Sequence, residues 1–206
     1  MGHDGDSVKA FRRQKSMLVA EVDHVEKRIL AGVFADTALL LGTSLEEEID
    51  GEPGLTSAER SVEDFFKDIS QQDLGEPKDP ALARLLPNAY EDEASQVEFR
   101  RLTEGDIRAA KVDRLRKWVR ALQEPGEEVC VPEQEAGDWV AAMTDVRLVL
   151  ATRLGIETPE DAQEIHTRTG PDGESSEEYT QFALSQIYSA LTWLQESLLT
   201  ALMRAT

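Results

Sequence analysis

One cysteine, three histidines and 41 acidic side chains are the groups from which this chain could assemble a reactive centre. Cys130 stands in the stretch "EEVCVPEQ". A nucleophilic thiol needs an adjacent base and an electropositive setting, and its neighbours Glu127, Glu128, Val129 and Val131 supply neither. Cys130 therefore reads as an inert strand cysteine or as a redox-sensitive thiol. As the single cysteine it cannot close an intramolecular disulfide or join a site built from several thiolates. The oxidation chemistry open to it is a mixed disulfide, an intermolecular bridge or a sulfenic acid. His3, His24 and His166 do not fall at metal-ligand spacing, and no His-x-x-x-His frame holds two of them. The "GEPG" stretch lacks the Lys-Ser/Thr pair and the strand-to-helix setting of a phosphate loop, and no Gly-x-Ser-x-Gly elbow is present. Carboxylates are too abundant for any one pair to stand out as an acid and a base. No catalytic residue, metal or cofactor is assigned.

The stretch "RAAKVDRLRKWVR" sets six basic residues against one acidic residue, in a chain of formal net charge −19. At the helical period, Ile107, Leu115, Trp118, Val119 and Leu122 share one broad face. Arg116, Lys117 and Arg120 fall opposite, as solvated charges and a candidate partner surface. Lys111 and Arg114 fall within or at the edge of the apolar arc, where they must snorkel along the core or meet buried carboxylates. A second helix over "EQEAGDWVAAMTDVRLVLATRLGI" aligns Trp139, Met143, Val146, Leu150 and Leu154, with Arg147 inside the same stripe. A guanidinium there cannot stay unpaired, because an isolated buried charge costs several kcal/mol. It is expected to find a carboxylate or helix-terminal carbonyls.

These helices need a scaffold. The apolar residues Leu18, Val22, Val25, Ile29, Val33 and Leu39 to Leu41 predict a long first helix from Met17 to about Leu45. "SVKAFRRQ" and "EEVCVPEQ" predict a two-stranded ribbon pinning the N-terminus to the middle of the chain. Gly42 to Gly54 and the acidic cluster Glu46 to Glu48 read as loop, and "TSAERSVEDFFKDI" as a short helix. Asp79 before Pro80 starts a short helix that Pro87 ends, Thr103 is the expected cap of the basic helix, and Thr158-Pro159 opens another. The final stretch from Glu178 to Met203 is apolar over most of its circumference and is expected at the centre of the domain.

The fold expected is mainly α: a single-domain helical bundle with a short two-stranded β ribbon, residues 8–206, behind a disordered tail over 1–7. Loops are expected near 42–56, 70–79 and 168–175. At 206 residues, 40% hydrophobic and 31% charged, the chain can bury a core without disulfides. No apolar run reaches the roughly 18 residues of a membrane span, and the N-terminus lacks the apolar segment of a secretory signal, which points to the cytoplasm. The large negative charge repels phosphate backbones and disfavours direct DNA binding.

Three segments, "LARLLPNAY" (82–90), "DWVAAMTDVRLVLATRLGI" (138–156) and "LTWLQESLLTALM" (191–203), resemble an actinobacterial family labelled as a domain of unknown function, some members of which are named oxidative-stress transcriptional regulators. The likeness runs in order from about Phe11 to the C-terminus. Arg84, Pro87, Tyr90, Lys111, Trp139, Asp145, Arg147, Gln195 and Glu196 occupy matching places. Lys111, Asp145, Arg147 and Glu196 are candidates for a buried polar network, serving either as fold-stabilising ion pairs or as a ligand site. The resemblance implies a cytoplasmic, non-enzymatic transcriptional regulator that binds a protein partner such as a sigma factor or another transcription protein. With Cys130 as its single thiol, the chain departs from any mechanism that needs two. Two other readings stay open: an accessory protein of regulated proteolysis, since the resemblance also implies a chromosomal setting beside a protease adaptor, and a small-molecule-binding protein or enzyme using Lys111, Asp145 and Arg147. Homodimerisation through an exposed helix face is compatible with each.

Overall fold

The structure, a computed structural model, describes residues 9–45, 79–89, 92–167, 170–171 and 175–204. The tail over 1–7, the Glu46 to Glu48 cluster, the helix expected over 56–69, Tyr90 and most of the loop near 168–175 lie outside these residues. The described elements run in the order β1 (Arg12–Gln14), β2 (Met17–Glu21), α1 (His24–Leu40), α2 (Pro80–Leu85), α3 (Glu93–Gln123), β3 (Glu128–Pro132), a 3-10 turn (Glu133–Glu135), α4 (Ala136–Arg153), α5 (Pro159–Thr167) and α6 (Ser176–Met203). The protein is mainly helical, with a small antiparallel sheet. Among the described residues no helix is long and apolar enough to cross a membrane.

The sheet has three strands in the order β1-β2-β3, not two. The central strand is formed by residues that the helical period had assigned to the start of the first helix. Lys15 takes a positive φ of 60° and turns the chain so that Gln14 faces Met17. Leu18 and Ala20 then pair with Val131 and Val129 over the core, while Val19 stands between Arg12 and Cys130 on the outer face. A central strand buried on both faces reads as a continuous apolar run, which periodicity alone does not separate from helix. The first helix therefore starts later, at a capping box. Asp23 Oδ1 accepts from the Val25 and Glu26 N–H groups at 2.7 and 2.8 Å, and Glu26 Oε2 accepts from the Asp23 N–H at 3.1 Å.

α4 is the hub of the bundle: it packs against α1, α2, α3, α6 and β3. α1 lies along α3, and α5 caps α6. Trp118, fully buried, is the centre of this core. Its ring stacks on Phe34 of α1 at 5.0 Å and meets Trp139 of α4 edge-on at 4.9 Å. Its indole N–H donates to Trp139 O at 3.0 Å, which satisfies the one polar atom the ring carries into the core.

Two further expectations are corrected. Thr103 is not a cap: α3 begins ten residues earlier behind Asp92, whose Oδ1 accepts from the Ser95 N–H at 2.8 Å, and Thr103 Oγ1 donates to Phe99 O inside the helix. α6 is not central on all sides. Leu184, Leu191, Leu194 and Leu198 are buried, but Trp193 is 42% and Met203 67% exposed.

Candidate functional site

α3 and α4 run antiparallel, because the partners of Lys117, Arg114 and Lys111 rise along α4 as these numbers fall. Lys117 Nζ donates to Glu135 Oε2 and Asp138 Oδ2, both at 2.9 Å, and Arg114 Nε donates to Asp138 Oδ1 at 3.2 Å. Asp138 stands in the first turn of α4, where a carboxylate also complements the helix dipole. The Lys117 ammonium holds the Asp138 carboxyl below its ordinary value with help from Arg114, and Asp138 followed by Glu135 raises Lys117 in return. Further along, Lys111 Nζ meets Asp145 Oδ1 at 2.6 Å, with the carboxylate side chain 6% exposed. Arg108 pairs with Glu104 at 2.7 Å and donates to Leu41 O at 3.2 Å, tying α3 to the end of α1. Arg116 pairs with Asp113 on its own helix, and Arg120 is exposed. Of the proposed surface trio, Lys117 also bridges the two helices, with its side chain 37% exposed.

Arg147 departs from expectation in a different way. Among the described residues it meets neither a carboxylate nor helix-terminal carbonyls. Its Nη1 donates to Gln195 Oε1 at 2.7 Å, and its Cζ lies 5.4 Å from the Tyr188 ring centroid, in cation–π range. Gln195 Nε2 donates to Thr144 Oγ1 at 2.8 Å and to Val140 O at 3.3 Å. The fourth network candidate, Glu196, is exposed, and Gln195 beside it takes the buried place. The polar interior is therefore two units: the Lys111–Asp145 pair, and the Arg147–Gln195–Tyr188 group. Both Asp145 Oδ2 and Arg147 Nε are buried without a hydrogen-bond partner among the described residues.

Two buried charges escaped the sequence reading. Lys27 is 3% exposed, and its ammonium donates to Glu124 O, Gly126 O and Glu128 O at 3.1, 2.8 and 3.0 Å. Burial pushes this ammonium down from its ordinary pKa, opposed by Cys130 and Glu124. Arg153 pairs with the buried Asp79 that caps α2. Asp79 was legible as a cap, but its partner lies 74 residues away.

Cys130 is exposed on the outer face of β3, in register with Val19 and, one strand further, Arg12. Arg12 bridges Glu21 at 2.8 Å and Glu128 at 2.9 Å on the same face. A separate cavity of about 240 Å³ lies between the end of α2 and the first half of α3, lined by Leu86, Pro87, Ala89, Phe99, Thr103 and Ile107 among others. None of Lys111, Asp145, Arg147 or Glu196 lines it.

A family model described as a domain of unknown function, DUF2017, matches residues 8–202. The chain belongs to this family. A Mycobacterium leprae (strain TN) protein named "Putative oxidative stress regulator AosR" is 30% identical over 141 residues, covering 62% of this chain and 60% of the relative. The match thus spans less than two thirds of the relative's own length. No solved structure matches the chain. In this DUF2017 member the matched span contains the sheet, the strut helices and both polar units alike.

Proposed function

We propose that this protein is a non-enzymatic regulator that acts by binding another protein with a basic surface, and that the partner belongs to the transcription machinery, a sigma factor being the leading class. The name of the M. leprae relative supports a regulatory role. The observation that favours protein contact over phosphate contact is the inward use of the α3 cations: Lys111, Arg114 and Lys117 are held by carboxylates of α4 and its approach, and Arg108 by Glu104. A surface that grips a nucleic-acid backbone needs cations that can exchange counterions for phosphate. Here the outward surface is acidic, which steers basic partners and raises their rate of approach.

The exposed thiol supplies the stress-linked part of the reading. Oxidation of Cys130 to a sulfenic acid or a mixed disulfide adds a polar or bulky group to the outer face of β3. The test is affinity capture with mass spectrometry from host lysate under reducing and oxidising conditions, with wild type and C130S. Recovery of polymerase or sigma components that changes with oxidant in wild type and not in C130S supports the proposal. Recovery of protease components instead, or recovery insensitive to oxidant, rejects it.

A further inference from the structure

Val97 and Leu102 stand 60% and 61% exposed on the first half of α3. On the same turns runs the cavity of about 240 Å³, an open groove with Phe99 and Ile107 on one wall and Leu86, Pro87 and Ala89 on the other. It is smaller than the roughly 300–1,000 Å³ of a small-molecule pocket, and exposed apolar surface of this kind marks an interaction site. Arg100, which also lines the groove, donates from Nη2 to Asn88 Oδ1 at 2.8 Å and, among the described residues, meets no carboxylate.

The chain itself supplies an occupant. Residues 46–78 depart from Leu45, buried four residues after Leu41, whose carbonyl holds Arg108 of α3. They return at Asp79, the cap of α2, whose far end lines the groove. Within these 33 residues, Val62, Phe65, Phe66 and Ile69 follow the i, i+3, i+4, i+7 spacing by which a helix anchors in an apolar groove. At about 1.5 Å per residue the stretch "TSAERSVEDFFKDI" spans about 21 Å as a helix, close to the length of α3 over 93–107. The ten residues before it and the nine after it each reach at least about 30 Å when extended. Glu59 and Glu63 fall along one edge of the apolar face and offer Arg100 a carboxylate. A segment tethered this closely acts at an effective concentration on the order of millimolar.

We infer that the 56–69 segment docks by Val62, Phe65, Phe66 and Ile69 into the groove between α2 and α3 of its own chain, with Arg100 meeting Glu59 or Glu63. An outside helix with the same spacing competes for the same surface.

The test uses the full chain in a C130S background with a nitroxide on D64C, opposite the apolar face of the segment. It reads paramagnetic broadening of the Phe99, Thr103 and Ile107 backbone amides by NMR. Broadening when nitroxide and isotope are on one chain, absent from a mixture of isotope-labelled C130S with unlabelled nitroxide-bearing chain, supports the inference. Equal broadening in the mixture means that a second copy fills the groove and overturns it. No broadening in either sample leaves the groove to an outside partner and overturns it as well. F65S/F66S removes two of the anchors and is expected to abolish the broadening and to speed hydrogen exchange over residues 97–103 by at least about tenfold. R100E, an exposed change, is expected to weaken the broadening to a smaller degree. The Trp118 indole N–H signal reports that each variant is folded, and unchanged broadening in either folded variant overturns the inference.

Discussion

Replacing Lys111 by Met removes the single donor that serves the Asp145 carboxylate, whose other oxygen already lacks a partner. The carboxylate side chain is 6% exposed and the lysine 17%. Breaking one member of such a buried pair costs about 3–5 kcal/mol, because the survivor keeps its desolvation penalty without its counter-charge. Residual access of water to this site places the expected loss for K111M near the lower end, about 3 kcal/mol. For a chain of this size that corresponds to a fall in Tm of about 6–12 °C. The double variant K111M/D145L removes both charges and retains apolar volume, so it should recover most of that loss, since a well-packed apolar pair is often as stable as a buried ion pair. Urea unfolding of wild type, K111M, D145L and the double variant closes the thermodynamic cycle. A coupling energy near zero, with K111M as stable as wild type, would refute the reading of Lys111–Asp145 as a desolvated pair.

Trp118 to Ala should lower stability by about 3–5 kcal/mol through the cavity it leaves between Phe34 and Trp139, read by denaturant unfolding; a loss under about 1 kcal/mol would contradict its central place. Trp193 is the half-exposed indole and Trp118 and Trp139 are buried, so W193F should shift the tryptophan emission to the blue, and a red shift counts against the placement of α6. Cys130 should react with a water-soluble disulfide reagent in the folded protein at a rate close to that of the unfolded chain, with C130S within about 0.5 kcal/mol of wild type; protection of the thiol would show that β3 is covered. The contribution of Asp138, held below its ordinary 3.8, is present above that value and lost as pH falls through the folded one. The contribution of Lys117, raised above 10.5, is present below that value and lost as pH rises through the folded one. K117M should therefore flatten both the acid and the alkaline arm of a stability–pH curve by under about 1 kcal/mol, since the three side chains are partly solvated; unchanged arms would exclude the strut.

The apolar faces of α3 and α4 were readable because helical period, core direction and residue size agree there: Leu115, Trp118, Val119, Met143, Val146 and Leu150 are all buried. From its place on the wheel Lys111 had either to snorkel or to meet a carboxylate, and it meets Asp145. β2 was misread because a short apolar run satisfies helix and buried strand equally, although the Asp23–Glu26 capping box three residues apart marked the true start of α1. The first turns of α3 carry Val97 and Leu102 toward solvent, at 60% and 61% exposure, so they lack the stripe by which a helix is recognised. Long-range partners were out of reach. Lys27 meets carbonyls about 100 residues away and Arg153 meets Asp79 across 74, and nothing local to either residue selects that partner. Gln195 was displaced in the reading by its charged neighbour Glu196, since a buried arginine calls first for an acid.

The concentration of cations on α3 has a mechanical explanation in an acidic chain. α3 is 31 residues long and must be held in register against both α1 and α4. Apolar contacts fix the face that is buried but allow a helix to slide, whereas the pairs of Lys111, Arg114 and Lys117 with α4 and its approach, and the bond from Arg108 to Leu41 O, fix its axial position. The exposed carboxylates are a separate set. Substitutions in the two sets therefore mean different things. Loss of partner binding in R114A or K117A has to be weighed against a loosened α3–α4 contact, whereas loss on neutralising exposed carboxylates such as Glu196 leaves the struts in place and reports on the surface itself. If a basic partner is steered by this field, neutralising such carboxylates should slow association most at low salt and hardly change dissociation.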